Sequence, residues 1–127
     1  MIFNGPIETP PQEHITVCRF DDGSVELVMY YLGYSFHRDP KEGPAEQLFF
    51  SNGSPRYECY WVNGNIHRDP FDGPAEIYYT EDTGDISLCL YYVRGVDITQ
   101  ELIDAGAVDD NGKVIDRDLF EYYASMS

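Results

Sequence analysis

The stretch HRDPKEGPAE, residues 37–46, returns as HRDPFDGPAE at residues 67–76. The two copies lie 30 residues apart, and eight of their ten positions are identical. Self-similarity at a fixed period of this length indicates a chain built from repeated structural units. The match extends upstream, since FDDGS at 20–24 aligns with FSNGS at 50–54. The repeat therefore organises most of the chain.

Three repeat units follow from this alignment, at about residues 5–36, 43–66 and 73–96. Each unit consists of Gly-Pro, a strand, a turn, a second strand and a linker. The turns fall at 21–23, 51–53 and 81–84. Asp-Gly and Asn-Gly in the first two turns are strong hairpin signals, because a tight turn needs positive φ. The flanking runs are rich in aromatic and β-branched residues, which is typical of half-buried strands.

The side chains alternate along these runs with the period of a strand. Tyr57, Cys59 and Trp61 share one face, and Leu88 and Leu90 share the corresponding face of a later strand. The sequence therefore predicts a mainly β fold, an antiparallel meander sheet of about six strands from three hairpin repeats. We expect this face to form the core. The opposite face is expected to be partly exposed and to present a row of tyrosines, Tyr30, Tyr60, Tyr78 and Tyr91.

The pattern changes after Gly95. Residues 97–106 predict a short helix, and residues 116–124 predict a second one with Asp116 as its cap and an apolar side at Leu119, Phe120 and Tyr123. We expect this helical C-terminal segment, residues 97–127, to cover the end of the sheet or an edge strand. The whole chain, residues 1–127, is then a single domain.

The 127-residue chain has 23 Asp and Glu against 8 Lys and Arg, a formal net charge of −15. Nucleic-acid phosphates and anionic membranes repel such a charge, so direct nucleic-acid or membrane binding is not expected. A content of 43% hydrophobic and 15% aromatic residues favours a folded chain over a disordered one. No apolar run approaches the roughly 18 residues of a spanning helix, and the N-terminus does not resemble a signal peptide. Three reduced cysteines in the cytoplasm, the host cell cytosol, are expected.

The phrase His-Arg-x-x-x-x-Gly-Pro-Ala, alternating with aromatic strands and Asn-Gly turns, resembles a β-hairpin repeat family of phage, prophage and large DNA-virus proteins. The resemblance covers about residues 20–105, and it is looser to the MORN repeat. It implies an antiparallel β fold and a mobile-element origin, and it implies no catalytic residues. Pro40 and Pro70 inside the linkers depart from the family pattern, which favours a compact domain over a long array.

The two linkers bring together residue types that can do chemistry. His37, Arg38 and Asp39 recur as His67, Arg68 and Asp69, and such a set can bind an anion or transfer protons. The alternative is a structural linker, in which Arg and Asp bond to the backbone, His packs on the next Tyr, and Pro fixes the bend. Duplication at both junctions favours the structural linker. No metal site, cofactor or catalytic residue is predicted, and we expect a non-enzyme.

The acidic charge is the main functional signal. Residues 97–127 contain 8 acidic and 2 basic residues, so net charge is densest there. We expect an acidic protein-binding inhibitor of anti-CRISPR or DNA-mimic type, blocking a basic nucleic-acid-binding surface of a host protein. The candidate contacts are Asp104, Asp109, Asp110, Asp116, Asp118, Glu121, Tyr60 and Tyr91.

Two other functions stay open. The chain could be a structural β-repeat scaffold, a homo-oligomer that self-associates through an exposed strand edge. It could also be a small enzyme or ligand-binding domain that uses His37 and His67.

Overall fold

The computed structural model describes residues 12–127, so the first part of the initial predicted unit, residues 5–11, lies outside the described residues. Within the described range the longer strands are β1 (Glu13–Arg19), β2 (Val25–Leu32), β4 (Glu46–Phe49), β5 (Pro55–Cys59), β8 (Glu76–Tyr79) and β9 (Ile86–Leu90). The two-residue strands are β3 (Ser35–Phe36), β6 (Trp61–Val62), β7 (Asn65–Ile66), β10 (Tyr92–Val93) and β11 (Val96–Asp97). The helices are α1 (Thr99–Asp104) and α2 (Arg117–Ala124).

The longer strands form one antiparallel sheet in the order β1-β2-β4-β5-β8-β9. Each neighbour in the sheet is also the next long strand in the chain, so the sheet is a meander of three hairpins. The predicted mainly β fold, with two short helices after the last strand, is confirmed.

The first two hairpin turns have the same construction. The Ser24 backbone N–H donates to Asp22 Oδ1, and the Ser54 backbone N–H donates to Asn52 Oδ1, both at 2.9 Å. A short Asp or Asn side chain that accepts from the backbone two residues later stabilises a turn locally. The Asp-Gly and Asn-Gly motifs therefore lie at the turns that they predict.

The sequence did not predict the small hairpins that follow the longer ones. Strand β3 pairs with the end of β2, and β6–β7 and β10–β11 are separate two-stranded sheets. Asn63 and Arg94 occupy the left-handed region in their turns, each at φ +49°. Trp61, which the alternation places on one strand with Tyr57 and Cys59, thus begins a second, smaller hairpin. Strands of two residues leave almost no periodic signal, so the sequence did not reveal these hairpins.

Strand register divides the long sheet into two faces. The Cys59 face is defined by the cross-strand row Met29, Glu46, Cys59, Glu76 and Leu90. The Cys89 face is defined by the row Val28, Gln47, Glu58, Ile77 and Cys89. Cys59 and Cys89 therefore point to opposite sides of the sheet, and all three cysteines are free thiols.

The main hydrophobic cluster lies on the Cys89 face, at the C-terminal end of the sheet. Its buried members are Cys89, Tyr91, Leu102, Ala107, Val108, Phe120 and Ala124. The expectation that the Cys59 face alone forms the core is therefore wrong. Both helices pack against the Cys89 face, and that packing buries side chains that the alternation placed outward.

The two edges of the sheet differ. At the β9 edge the Cys89 N–H donates to the Asn111 carbonyl at 2.8 Å, so the C-terminal segment covers this strand. At the β1 edge all seven residues are exposed, and among the described residues β1 pairs with β2 alone. Within residues 12–127 no helix has the length and apolar character needed to cross a membrane.

Candidate functional site

The two linker arginines occupy equivalent positions. The Arg38 guanidinium carbon lies 3.9 Å from the ring centre of Tyr30, and Arg68 lies 4.1 Å from that of Tyr60. A guanidinium over an aromatic face is attracted by the ring quadrupole. Arg68 Nη1 also donates to the Pro74 carbonyl at 3.1 Å, and Arg38 Nη1 donates to the equivalent Pro44 carbonyl. Each arginine thus joins a strand tyrosine to the Gly-Pro turn that begins the next unit.

The glycine before each proline is required by this arrangement. A Cβ on Gly73 would lie 2.6 Å from Arg68 Nη1, and the residue has φ +140°. Gly43 has the same relation to Arg38, with a Cβ contact of 2.8 Å and φ +137°. Arg, Gly and Pro of the motif therefore form one packed unit, which explains their joint repetition.

The linker histidines accept backbone hydrogen bonds. His37 Nδ1 accepts from the Asn63 N–H at 3.0 Å, and His67 Nδ1 accepts from the Arg94 N–H at 2.9 Å. Each histidine therefore fixes the turn of the following small hairpin, 26 or 27 residues away. Because Nδ1 is the acceptor, the neutral ring carries its proton on Nε2.

The linker aspartates make local bonds. Asp39 Oδ1 accepts from the Lys41 N–H and Asp69 Oδ1 accepts from the Phe71 N–H, each at 3.0 Å. Among the described aromatic pairs neither linker histidine stacks on a tyrosine as expected. Each ring instead accepts a backbone N–H from the next small hairpin. In both linkers the potentially catalytic groups are engaged in contacts that connect successive units.

The third unit ends the series with a different residue. The Tyr30 and Tyr60 N–H groups donate to Ala45 and Ala75 carbonyls, both at 2.8 Å. At the equivalent place the Tyr91 N–H donates to Thr99 Oγ1, also at 2.8 Å. The threonine hydroxyl supplies the acceptor that a further unit would supply, and α1 begins at this residue.

A polar row on the Cys59 face was missed at the level of sequence. Glu46 and Glu76 flank Cys59 on the two neighbouring strands. Trp61 Nε1 donates to Glu46 Oε1 at 3.1 Å, and the Tyr78 hydroxyl donates to Glu76 Oε2 at 3.4 Å. The sequence contained a signal for this row, because each copy of the ten-residue motif ends in a glutamate, Glu46 or Glu76.

The chemistry of this row is suppressed by burial. Burial raises the pKa of the Cys59 thiol to about 12, so the thiol stays protonated and is a poor nucleophile near neutral pH. Burial also raises the pKa of Glu76, which is 7% exposed. Among the described residues no group of three or more His, Cys, Asp and Glu side chains is arranged to hold a metal ion.

Two proposed partner contacts are corrected by the structure. Tyr60 is 8% exposed and lies beneath Arg68, and Tyr91 is 4% exposed and packs on Phe120 with ring centres 5.4 Å apart. Neither ring can reach a partner. Tyr78 shares the Cys59 face with Tyr57, so it does not belong to the expected exposed row of tyrosines, and Tyr60 and Tyr91 of that row are buried.

The acidic candidates divide into two groups. Asp109 accepts the N–H groups of Asn111 and Lys113, and Asp116 accepts the Leu119 N–H as the cap of α2. Asp104 is exposed and accepts from Gln100. The remaining candidates, all exposed, are Asp110, Asp118 and Glu121.

Helix α2 has two apolar sides, and the sequence pattern merged them. Phe120 is 2% exposed and Ala124 is 3% exposed, and both belong to the core. Leu119 and Tyr123, assigned to the same side as Phe120, are 36% and 37% exposed. The exposed apolar residues here are Ile115, Leu119, Tyr122, Tyr123 and Met126. We call these five residues the α2 outer face.

A cleft of about 660 Å³ opens beside the first linker. Its lining residues among those described are Glu13, His14, Ile15, Tyr30, Tyr31, His37, Arg38, Asp39 and Glu42. Three carboxylates face one arginine and two histidines there, so the lining favours no single charge of ligand. His37 and Arg38 also keep their structural bonds, which weakens the ligand-binding alternative.

Comparisons of the chain with family models, with curated protein sequences and with solved structures gave no match. The site is therefore interpreted from its own geometry.

Proposed function

We propose that this protein binds a basic surface of another protein through the α2 outer face and the carboxylates beside it. The observation that supports this proposal is the exposure of Tyr122 at 61% on α2 and of Met126 at 67% just after it, while Phe120 and Ala124 of the same helix are buried in the core. Contiguous exposed apolar residues on a folded domain mark interaction surfaces. Tyrosine in particular is enriched among residues that dominate binding energy.

The charged residues around the α2 outer face indicate the kind of partner it fits. Asp118 and Glu121 lie on α2 itself, and Asp110 lies on the preceding loop. The segment 97–127 has 8 acidic residues against 2 basic ones. An apolar patch with an acidic rim fits a partner with an apolar patch and a Lys- or Arg-rich rim, because complementary charge speeds encounter and fixes orientation.

The narrower proposal is an inhibitor of anti-defence type. A basic protein surface that binds nucleic acid is blocked when an acidic protein occupies it, since both ligands use the same positive charges. The net charge of −15 supports this version, and a phage or mobile-element origin is part of the same proposal. The CRISPR effectors and other defence nucleases are partners of the required chemistry.

The first experiment is affinity capture from bacterial lysate with two charge-matched double variants. Asp118→Asn with Glu121→Gln neutralises the helix beside the outer face. Glu81→Gln with Asp82→Asn removes the same charge from the exposed β8–β9 turn. We expect the α2 variant to lose the captured protein and the turn variant to retain it. Equal capture by both would overturn the assignment of the surface.

The apolar part and the inhibition are tested with the captured protein. Tyr122→Ala is expected to weaken binding by at least tenfold, as for a residue that dominates an interface. A labelled DNA duplex should be displaced from the partner by the wild-type protein and not by Tyr122→Ala. A partner that binds this protein and the duplex together would exclude the inhibitor version and leave the binding function standing.

A further inference from the structure

The β1 edge is the second surface without a partner, and it lies at the end of the sheet opposite the helices. Ile15 and Val17 are apolar, strand-forming residues on the Cys89 face, yet they are 57% and 47% exposed. Among the described residues β1 pairs only with β2. An exposed strand edge of this kind is a template for pairing with another strand.

Successive residues of β1 point their backbone N–H and carbonyl groups alternately toward β2 and away from the sheet. The Tyr30 N–H donates toward the β4 side, to Ala45. Its neighbours Met29 and Tyr31 therefore hydrogen-bond toward β1, where they face Thr16 and His14. The N–H and carbonyl groups of Glu13, Ile15 and Val17 consequently point away from the sheet.

The sequence of β1 is complementary to itself when it is reversed. With Thr16 opposite Thr16 of a second copy, Ile15 lies opposite Val17, and Glu13 lies opposite Arg19. The residues with outward-pointing backbone groups then face one another, as an antiparallel ladder requires. The apolar pair and the opposite charges are cross-strand combinations that stabilise a sheet. The pairing of β1 with β2 shifts register between Cys18 and Arg19. The extra residue at the shift, Glu26, belongs to β2, so the alternation along β1 continues to Arg19.

We propose that two copies of this chain pair antiparallel through β1, with Thr16 on the two-fold axis. The six long strands of each copy then form one continuous sheet of twelve. Such an interface is isologous and closes, since the β9 edge is covered by the C-terminal segment. Arg19 already donates to the Gly23 carbonyl at 2.9 Å and has further N–H groups for Glu13 of the second copy.

The effect of salt distinguishes dimerisation through β1 from the proposed binding to a basic partner. Two copies of charge −15 repel each other, and salt screens that repulsion. Dimerisation through β1 is therefore expected to strengthen from 50 to 500 mM NaCl, whereas binding to a basic partner weakens. The first measurement is sedimentation equilibrium of the full chain across a concentration series at both salt levels. A monomer throughout would overturn the dimer and leave the binding function untouched.

Charge reversal tests the register. Glu13→Arg and Arg19→Glu each place like charges opposite one another, twice per dimer, and should weaken dimerisation by about threefold to tenfold. The double variant restores both pairs and should restore wild-type affinity. Glu26→Arg, at the exposed residue of β2, changes net charge as Glu13→Arg does and should not weaken the dimer. Failure of the double variant to recover would contradict this register.

Oxidative crosslinking gives an independent measurement. In the proposed register residue 14 lies opposite Cys18 of the second copy in a non-hydrogen-bonded pair, whose Cα separation of about 4.5 Å allows a disulfide. His14→Cys should therefore give a covalent dimer with copper phenanthroline as the oxidant. Glu13→Cys points to the other face and should not add crosslinking beyond that of Cys18 alone. Equal crosslinking by the two variants would overturn the register.

Discussion

At the scale of single residues, the molecule depends on a contact that is made twice. Arg68 fills the space in which any side chain at position 73 would lie, and it holds the next Gly-Pro turn against Tyr60. The same is true of Arg38 and Gly43. Because both copies are built alike, the motif is best explained by packing between units.

Replacement of Gly73 by alanine tests this contact. The φ of +140° disfavours any side chain, and the new Cβ would push the Arg68 guanidinium, 2.6 Å away, off Tyr60 and the Pro74 carbonyl. We therefore expect a loss of at least about 2 kcal/mol in the free energy of unfolding. Gly53→Ala is the control, because its φ is +88° and a Cβ there meets nothing within 4 Å. Urea unfolding of both variants measures the difference. Equal losses would show that backbone strain alone accounts for the effect.

Glu76 gives the stability a pH dependence of defined sign. Burial raises its pKa in the folded state, so the folded chain binds more protons than the unfolded chain between the ordinary and the raised pKa. Glu76 therefore lowers stability as pH rises through that window. Glu76→Gln should raise the free energy of unfolding at pH 7, and its advantage over wild type should shrink as the pH falls through the window from the raised pKa to the ordinary carboxyl pKa.

The control for this prediction is Glu26→Gln, which removes the same charge from an exposed position on β2. Thermal unfolding at a series of pH values compares the two variants with wild type. A pH-independent advantage of Glu76→Gln, or an equal effect of Glu26→Gln, would contradict the role of burial.

At the scale of elements, helix α2 has one side buried in the core and another side exposed. Phe120 packs inside the cluster around Tyr91 and Leu102, while Tyr122 is exposed. The sequence could not distinguish the buried side from the exposed side, because Leu119, Phe120 and Tyr123 are all apolar and adjacent on the helix. Only contact with the Cys89 face shows which side is buried.

Paired alanine variants of α2 measure this division. Phe120→Ala should lower the free energy of unfolding by about 3–5 kcal/mol, as for a buried aromatic side chain. Tyr122→Ala should change it by less than about 0.5 kcal/mol, as for a surface position. Thermal or urea unfolding with near-UV circular dichroism checks both. A large loss with Tyr122→Ala would mean that the outer face is part of the core.

At the scale of the whole molecule, the repeat sheet has one covered end and one exposed end. Thr99 provides the bond that a fourth unit would provide, and the loop through Asn111 covers β9. The charge is spread over this entire body, at −15 for 127 residues. Self-repulsion on that scale destabilises the compact state.

Sodium chloride should therefore stabilise the fold. We expect the thermal midpoint to rise by several degrees between 20 and 500 mM NaCl, because the screening length falls from tens of ångströms to a few. The measurement belongs at a concentration at which sedimentation shows a monomer, so that dimerisation does not contribute. A midpoint that is unchanged by salt would show that the charges are too well separated to repel one another.

Repetition and turn chemistry made the topology predictable. The 30-residue period, the alternation and the Asp-Gly and Asn-Gly turns are local properties of the chain, and they predicted the three long hairpins and their order, but not the small hairpins. The burial of Tyr60 and Tyr91, the pairing of Glu46 and Glu76 around Cys59, and the outward side of α2 depend on contacts between residues distant in sequence. Only the tertiary structure decided these, because strand alternation defines two faces of a sheet and the packing of the helices decides which of them is buried.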